Sequence, residues 1–125
     1  VSALGTNITN IAVIGVAAGY ATAVAVAHLL RRTAALSARQ LGFVGFVAAL
    51  LGTVCAAMGF VLEYAIGGSA QASLAAVTAY LLGTHVLIGL GEGVITALTV
   101  TAVARARPDL VYLLRNQSHR MEVPA

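Results

Sequence analysis

The sequence predicts an all-α fold: a polytopic membrane helix bundle of three transmembrane helices, with the N-terminus outside and the C-terminus inside. Three observations predict it. Of 125 residues, 60% are hydrophobic and only 9% are charged, against roughly 25% charged in ordinary globular domains. The apolar residues gather in three long runs, at about 8–30, 41–66 and 74–104. The charges that exist lie just beyond those runs. A soluble domain of this composition lacks the polar surface to cover its core, and disorder needs low hydrophobicity and high charge.

The first run, about 8–30, is long enough to cross ~30 Å of hydrocarbon and is stopped by Arg31 and Arg32. The second, about 41–66, carries Phe43, Phe46 and Phe60 and has Glu63 and Tyr64 near its end, which read as an interface anchor pair. Gly67, Gly68 and Ser69 make a short neutral turn. The third run, about 74–104, ends at Arg105, Arg107 and Pro108. As one helix it measures about 46 Å at ~1.5 Å per residue. Gly83, Gly89, Gly91 and Gly93 lie inside it, so a break or bend near Gly89–Gly93 is expected. The bundle therefore occupies 1–107, and 108–125 is a short cytoplasmic tail.

Seven arginines, no lysine and four acids give a net charge of +3. Arg31, Arg32, Arg39, Arg105, Arg107, Arg115 and Arg120 flank apolar runs without interleaved aromatics, so the charge encodes membrane orientation rather than a nucleic-acid surface. With the first helix starting outside, every arginine falls on the cytoplasmic side. The sequence opens at Val1 with no basic segment before the first run. It is not a signal peptide and reads as a chain whose upstream part lies elsewhere. Cys55, the only cysteine, has no partner for an internal disulfide and reads as a small packing residue. The sequons at Asn7 and Asn116 are discounted, one abutting the membrane and the other cytoplasmic.

Small residues recur every fourth position: Gly15 and Gly19; Ala48, Gly52 and Ala56; Gly89 and Gly93. In lipid such faces let backbones approach closely. Against them Glu92 stands out, since an ionised carboxylate inside a span costs several kcal/mol unless paired. His85 lies about two turns before it and Thr96 one turn after. The stripe His85, Glu92, Thr96 lines a cation site or acts as interhelical hydrogen-bond glue. His85 taken alone suits a transition metal, but no second histidine follows at i+4. Asn7 and Asn10, at the outer mouth of the first helix, either close a site or cap the helix through Thr6 or Asn7. His28 and His119 read as interfacial or solvated. No nucleophile constellation, phosphate-binding loop or paired carboxylates appear, so the chain is read as no enzyme, with no covalently bound cofactor.

Leu4-Gly5-Thr6-Asn7-Ile8-Thr9-Asn10 resembles the LGaN-x-x-N stretch of the CbiM family. The segment from Gly83 to Ala97 resembles its HxxIGxGEgxIT motif, and Arg107-Pro108-Asp109-Leu110 its RPDL tail. CbiM and its relative NikM are the substrate-capture membrane subunits (S components) of energy-coupling factor transporters for cobalt and nickel. The resemblance covers the C-terminal half of that family. It implies Co2+ or Ni2+ as transported substrate, rotation of the subunit in the membrane as the ATPases work, and a multi-pass place in a bacterial or archaeal plasma membrane. It further implies a CbiQ-like transmembrane coupling subunit, two ABC-type ATPase copies and a small CbiN-like helper as partners. The family's metal-chelating Met-His start has no counterpart here. His85 is thus a metal candidate, while Glu92, Asn7, Asn10 and Thr96 line or shape the site. Two readings compete with ATP-driven uptake: a scaffold subunit that assembles with transporter partners without binding metal, and a membrane enzyme using Glu92 as acid or base.

Overall fold

The computed structural model describes residues 2–31, 36–68, 72–112 and 114. Arg32, Ser69, Arg115, Arg120, His119 and the Asn116 sequon lie outside the described residues. Three helices are long and apolar enough to cross a membrane, and no strand occurs among the described residues.

The first span joins three helical stretches: α1 (Ser2–Asn7), a π-helical stretch (Ile8–Gly15) and α2 (Val16–Leu30). The helix thus begins upstream of residue 8. The cap anticipated at Thr6 or Asn7 does not form, because Asn7 stays helical (φ −64°, ψ −41°) and makes no side-chain capping bond. The π-helical stretch is wider than an α-helix, with i→i+5 bonding, a rare geometry that is frequent at functional sites.

α3 (Ala38–Gly67) opens on a capping box. Ser37 Oγ accepts the Gln40 N–H at 3.3 Å, and Gln40 Oε1 accepts the Ser37 N–H at 2.9 Å. These bonds satisfy two donors that a helix start leaves orphaned. α3 ends where Gly68 turns to extended backbone while its N–H reaches the Tyr64 carbonyl at 2.8 Å. α4 (Leu74–Ala106) starts on Ser73, whose Oγ accepts the Ala76 N–H at 3.2 Å. It stops at Arg107, before Pro108, which opens a short 3-10 turn over Pro108–Leu110.

α4 is one unbroken helix of 33 residues, about 50 Å long. No break occurs near Gly89–Gly93, and two of these glycines serve close approach. A Cβ on Gly89 would lie 3.2 Å from the Leu50 carbonyl oxygen, and one on Gly93 would lie 3.1 Å from that of Phe46. Gly83 and Gly91 face open space. The pairing of 89 with 50 and of 93 with 46 makes α3 and α4 antiparallel neighbours.

α3 is the central helix. It packs against α4, and against α2 and the π-helical stretch. The small-residue faces of the first two spans meet: a Cβ on Gly52 would lie 2.9 Å from the Gly15 carbonyl oxygen, and one on Gly19 would lie 3.3 Å from that of Ala48. Such contacts gain dispersion energy that lipid tails alone do not differentiate. At the arginine-bearing end, Ala27, Leu36, Leu41, Val44 and Ala104 form a buried apolar cluster, tying the end of α2 to the start of α3 and the end of α4. Large apolar side chains such as Leu87, Ile95 and Leu98 point outward, as a helix surface in hydrocarbon requires.

Candidate functional site

A cavity of about 760 Å³ lies among the three spans. The π-helical stretch and α2 supply one wall, α3 another, and α4 the third. All five residues singled out in the sequence border it: Asn7, Asn10, His85, Glu92 and Thr96. Thr53, from the middle of α3, joins them.

Asn10 is the only buried polar side chain among the described residues, at 4% exposure. Its Nδ2 donates to Glu63 Oε2 at 3.1 Å. A carboxylate only accepts, so this bond fixes the amide with its nitrogen toward Glu63. Asn10 Oδ1 is then left without a hydrogen-bond partner, turned to Gly59. A Cβ on Gly59 would collide with Oδ1 and lie 2.6 Å from Ile14 Cδ1. Gly59 is therefore the notch in α3 that seats the π-helical stretch. At this end of α3, Glu63 accepts from Asn10, and the Tyr64 hydroxyl donates to the Ala72 carbonyl at 2.8 Å.

Across the cavity, the Thr53 hydroxyl donates to Glu92 Oε2. His85 Nδ1 lies 2.9 Å from the Leu81 carbonyl oxygen. A carbonyl only accepts, so Nδ1 carries a proton, which in the neutral ring leaves the lone pair on Nε2. This is the form in which imidazole binds a metal, its other nitrogen anchored to a backbone carbonyl.

The electrostatics follow from what the carboxylates lack. Glu63 and Glu92 both lie within spans, and each is given a neutral donor rather than a cation. An ion pair joins Arg107 and Asp109, at 2.8 Å, beyond the end of α4. There the Arg107 guanidinium holds the Asp109 carboxyl below the usual carboxylate range, with both groups exposed. The cavity thus holds an acidic side chain, Glu92, whose partner is a hydroxyl and not a cation. No group of three or more His, Cys, Asp or Glu among the described residues comes together as a metal cage. His85 and Glu92 are separate stations, seven residues or about 10 Å of rise apart. Cys55 is half-buried and free.

Thr53, Gly59 and Glu63 were not recognised as site residues from the sequence. A threonine and an acid interrupting an apolar run were available signals. Their partners depend on helix register, which periodicity does not supply.

Residues 1–110 match the family described as cobalt uptake substrate-specific transmembrane region, CbiM. The chain is 37% identical over 112 residues to a protein of Archaeoglobus fulgidus whose provisional name is fused nickel transport protein NikMN. The match covers 89% of this chain and 34% of that protein, so the chain spans about a third of the length of this curated relative. No solved structure matches.

Proposed function

The chain belongs to the CbiM family, and from that premise we propose that it forms part of the membrane substrate-capture component of an ATP-driven cobalt or nickel uptake transporter. The observation that carries the reading is the cavity: Glu92 and His85 line one space between the spans together with Asn7, Asn10, Thr53 and Thr96. A divalent cation is the cargo that such a space accepts. His85 offers a nitrogen to the ion, Glu92, Thr96 and Asn7 add polar lining, and Asn10 shapes the wall. Nickel and cobalt both accept imidazole.

ATP binding belongs to other subunits in this reading. A CbiQ-like coupling subunit and paired ABC-type ATPases drive the cycle, and the fused name of the relative supports a CbiN-like partner. The orientation proposed is N-terminus outside and C-terminus inside. Arg31, Arg39, Arg105 and Arg107 all sit at the end of the bundle where Ala27, Leu41 and Ala104 meet, as the positive-inside rule asks of a cytoplasmic face.

The test is cobalt and nickel accumulation by cells carrying the complete transporter, with protein abundance measured in the same membranes. Glu92→Ala and His85→Ala are expected to lower uptake about tenfold or more at normal abundance. Unchanged uptake by both variants would instead favour a scaffold role.

A further inference from the structure

We propose that the groove between the start of α3 and the end of α4 binds an anionic phospholipid, its phosphate held by Arg39 and Arg105 and an acyl chain laid along Phe43 and Leu98. Such binding requires the chain in a bilayer and is independent of the transported ion.

The groove has a volume of about 370 Å³ and shares no lining residue with the cavity among the three spans. Gly42 lies at its base. A Cβ there would collide with Thr101 Oγ1 and lie 3.0 Å from the Ala97 carbonyl oxygen, so α4 lies directly against α3 at this level. The Thr101 hydroxyl donates across the seam to the Ala38 carbonyl at 3.4 Å. This register of two antiparallel helices carries Arg39, in the first turn of α3, and Arg105, in the last turn of α4, to one groove.

Both guanidiniums are exposed, and among the described residues neither has a hydrogen-bond or ion-pair partner. Arg107, at the same end, differs: Asp109 takes two bonds from it, at 3.0 Å and 2.8 Å. Two like charges brought together without an acid repel one another, and an anion between them removes that cost. Guanidinium matches phosphate in geometry as well as charge.

The apolar part of the groove selects the anion. Phe43 lies one turn inside Arg39 and Leu98 two turns inside Arg105, about 6 Å and about 10 Å of rise. These side chains are 54% and 67% exposed, on spans apolar enough to lie in hydrocarbon. A soluble phosphate meets the arginines and leaves the apolar pair untouched. A phospholipid meets both levels at once, the phosphate at headgroup depth and the chain below it. Basic pockets between helices at a membrane face are where anionic headgroups settle.

The test is native mass spectrometry of the full-length protein in detergent micelles, titrated with phosphatidylglycerol or with phosphatidylcholine of the same chains. Each arginine near a membrane surface adds about fivefold in affinity for an anionic lipid. Wild type is therefore expected to bind phosphatidylglycerol about thirtyfold more tightly than phosphatidylcholine. Arg39→Gln and Arg105→Gln should each keep about fivefold of that preference, and the double variant none. Arg107→Gln, whose guanidinium is already paired, should stay within about twofold of wild type. Equal affinity of wild type for the two lipids overturns the proposal and leaves the groove to a protein partner. An equal fall in Arg107→Gln marks diffuse attraction by the basic end and also overturns it. Displacement of phosphatidylglycerol by excess glycerol 3-phosphate marks a soluble-anion site and overturns the lipid as occupant. If the double variant does not accumulate, the two single variants carry the test with the same expected and contrary results. Cobalt uptake enters none of these outcomes, so the transport reading stands or falls separately.

Discussion

Gly59→Ala is the sharpest structural perturbation available. The added Cβ would collide with Asn10 Oδ1, lie 2.6 Å from Ile14 Cδ1 and lie 3.2 Å from Asn10 Cγ. The isoleucine methyl can swing aside. The amide cannot do so freely, because it is buried and held by Glu63. Overpacking costs about 1–3 kcal/mol. Losing an interhelical hydrogen bond in lipid adds about 0.6 kcal/mol, with about 1.7 as the upper end. Alanine returns about 1 kcal/mol of helix propensity. The net loss is about 2 kcal/mol. Gly91→Ala is the control, since its Cβ meets nothing within 4 Å, and it should be neutral or gain up to about 1 kcal/mol. The assay is reversible unfolding of the full-length protein in mixed detergent micelles, followed by helical circular dichroism. If Gly59→Ala proves as stable as Gly91→Ala, the seating of Asn10 against α3 is wrong.

Other predictions follow from individual bonds. In the neutral ring, His85 should be protonated at Nδ1 and bare at Nε2, readable as two well-separated 15N resonances from histidine-labelled protein; the opposite tautomer contradicts the Leu81 anchor. The Arg107–Asp109 pair should order the turn at Pro108–Leu110 in a pH-dependent way. Because the Asp109 carboxyl is lowered in the fold, its contribution is complete above the ordinary carboxylate range of about 3.9 and fades as pH falls through the lowered value. Following the Arg107 Nε–H signal through an acid titration tests this, and Asp109→Asn should abolish the dependence.

The spans were legible because an uncharged apolar run of more than 20 residues has few other uses. Glu92 was legible for the same reason, as an acid with no business in hydrocarbon. The small-residue faces were legible as faces, and the structure pairs Gly15 and Gly19 with Gly52 and Ala48. The misreadings share one cause: they depended on what lies across an interface. Gly89 and Gly93 carry the same letter whether a helix breaks or is touched, and here the helix is continuous and α3 touches it. Glu63 beside Tyr64 gives no sign in the sequence that Asn10 lies against it. The π-helical stretch has neither proline nor a break in hydropathy to announce it. Thr53 resembles any helical threonine until its hydroxyl is found on Glu92.

The central claim is that the cavity beside His85 receives the transported cation. Paramagnetic Co2+ tests it directly. In full-length protein labelled with 15N-histidine, and with signals assigned by His85→Gln and His28→Gln, one equivalent of Co2+ should broaden or strongly shift the His85 resonances. Those of His28, exposed near the end of α2, should stay sharp. His85 resonances left unmoved at a cobalt concentration that saturates uptake would contradict the account.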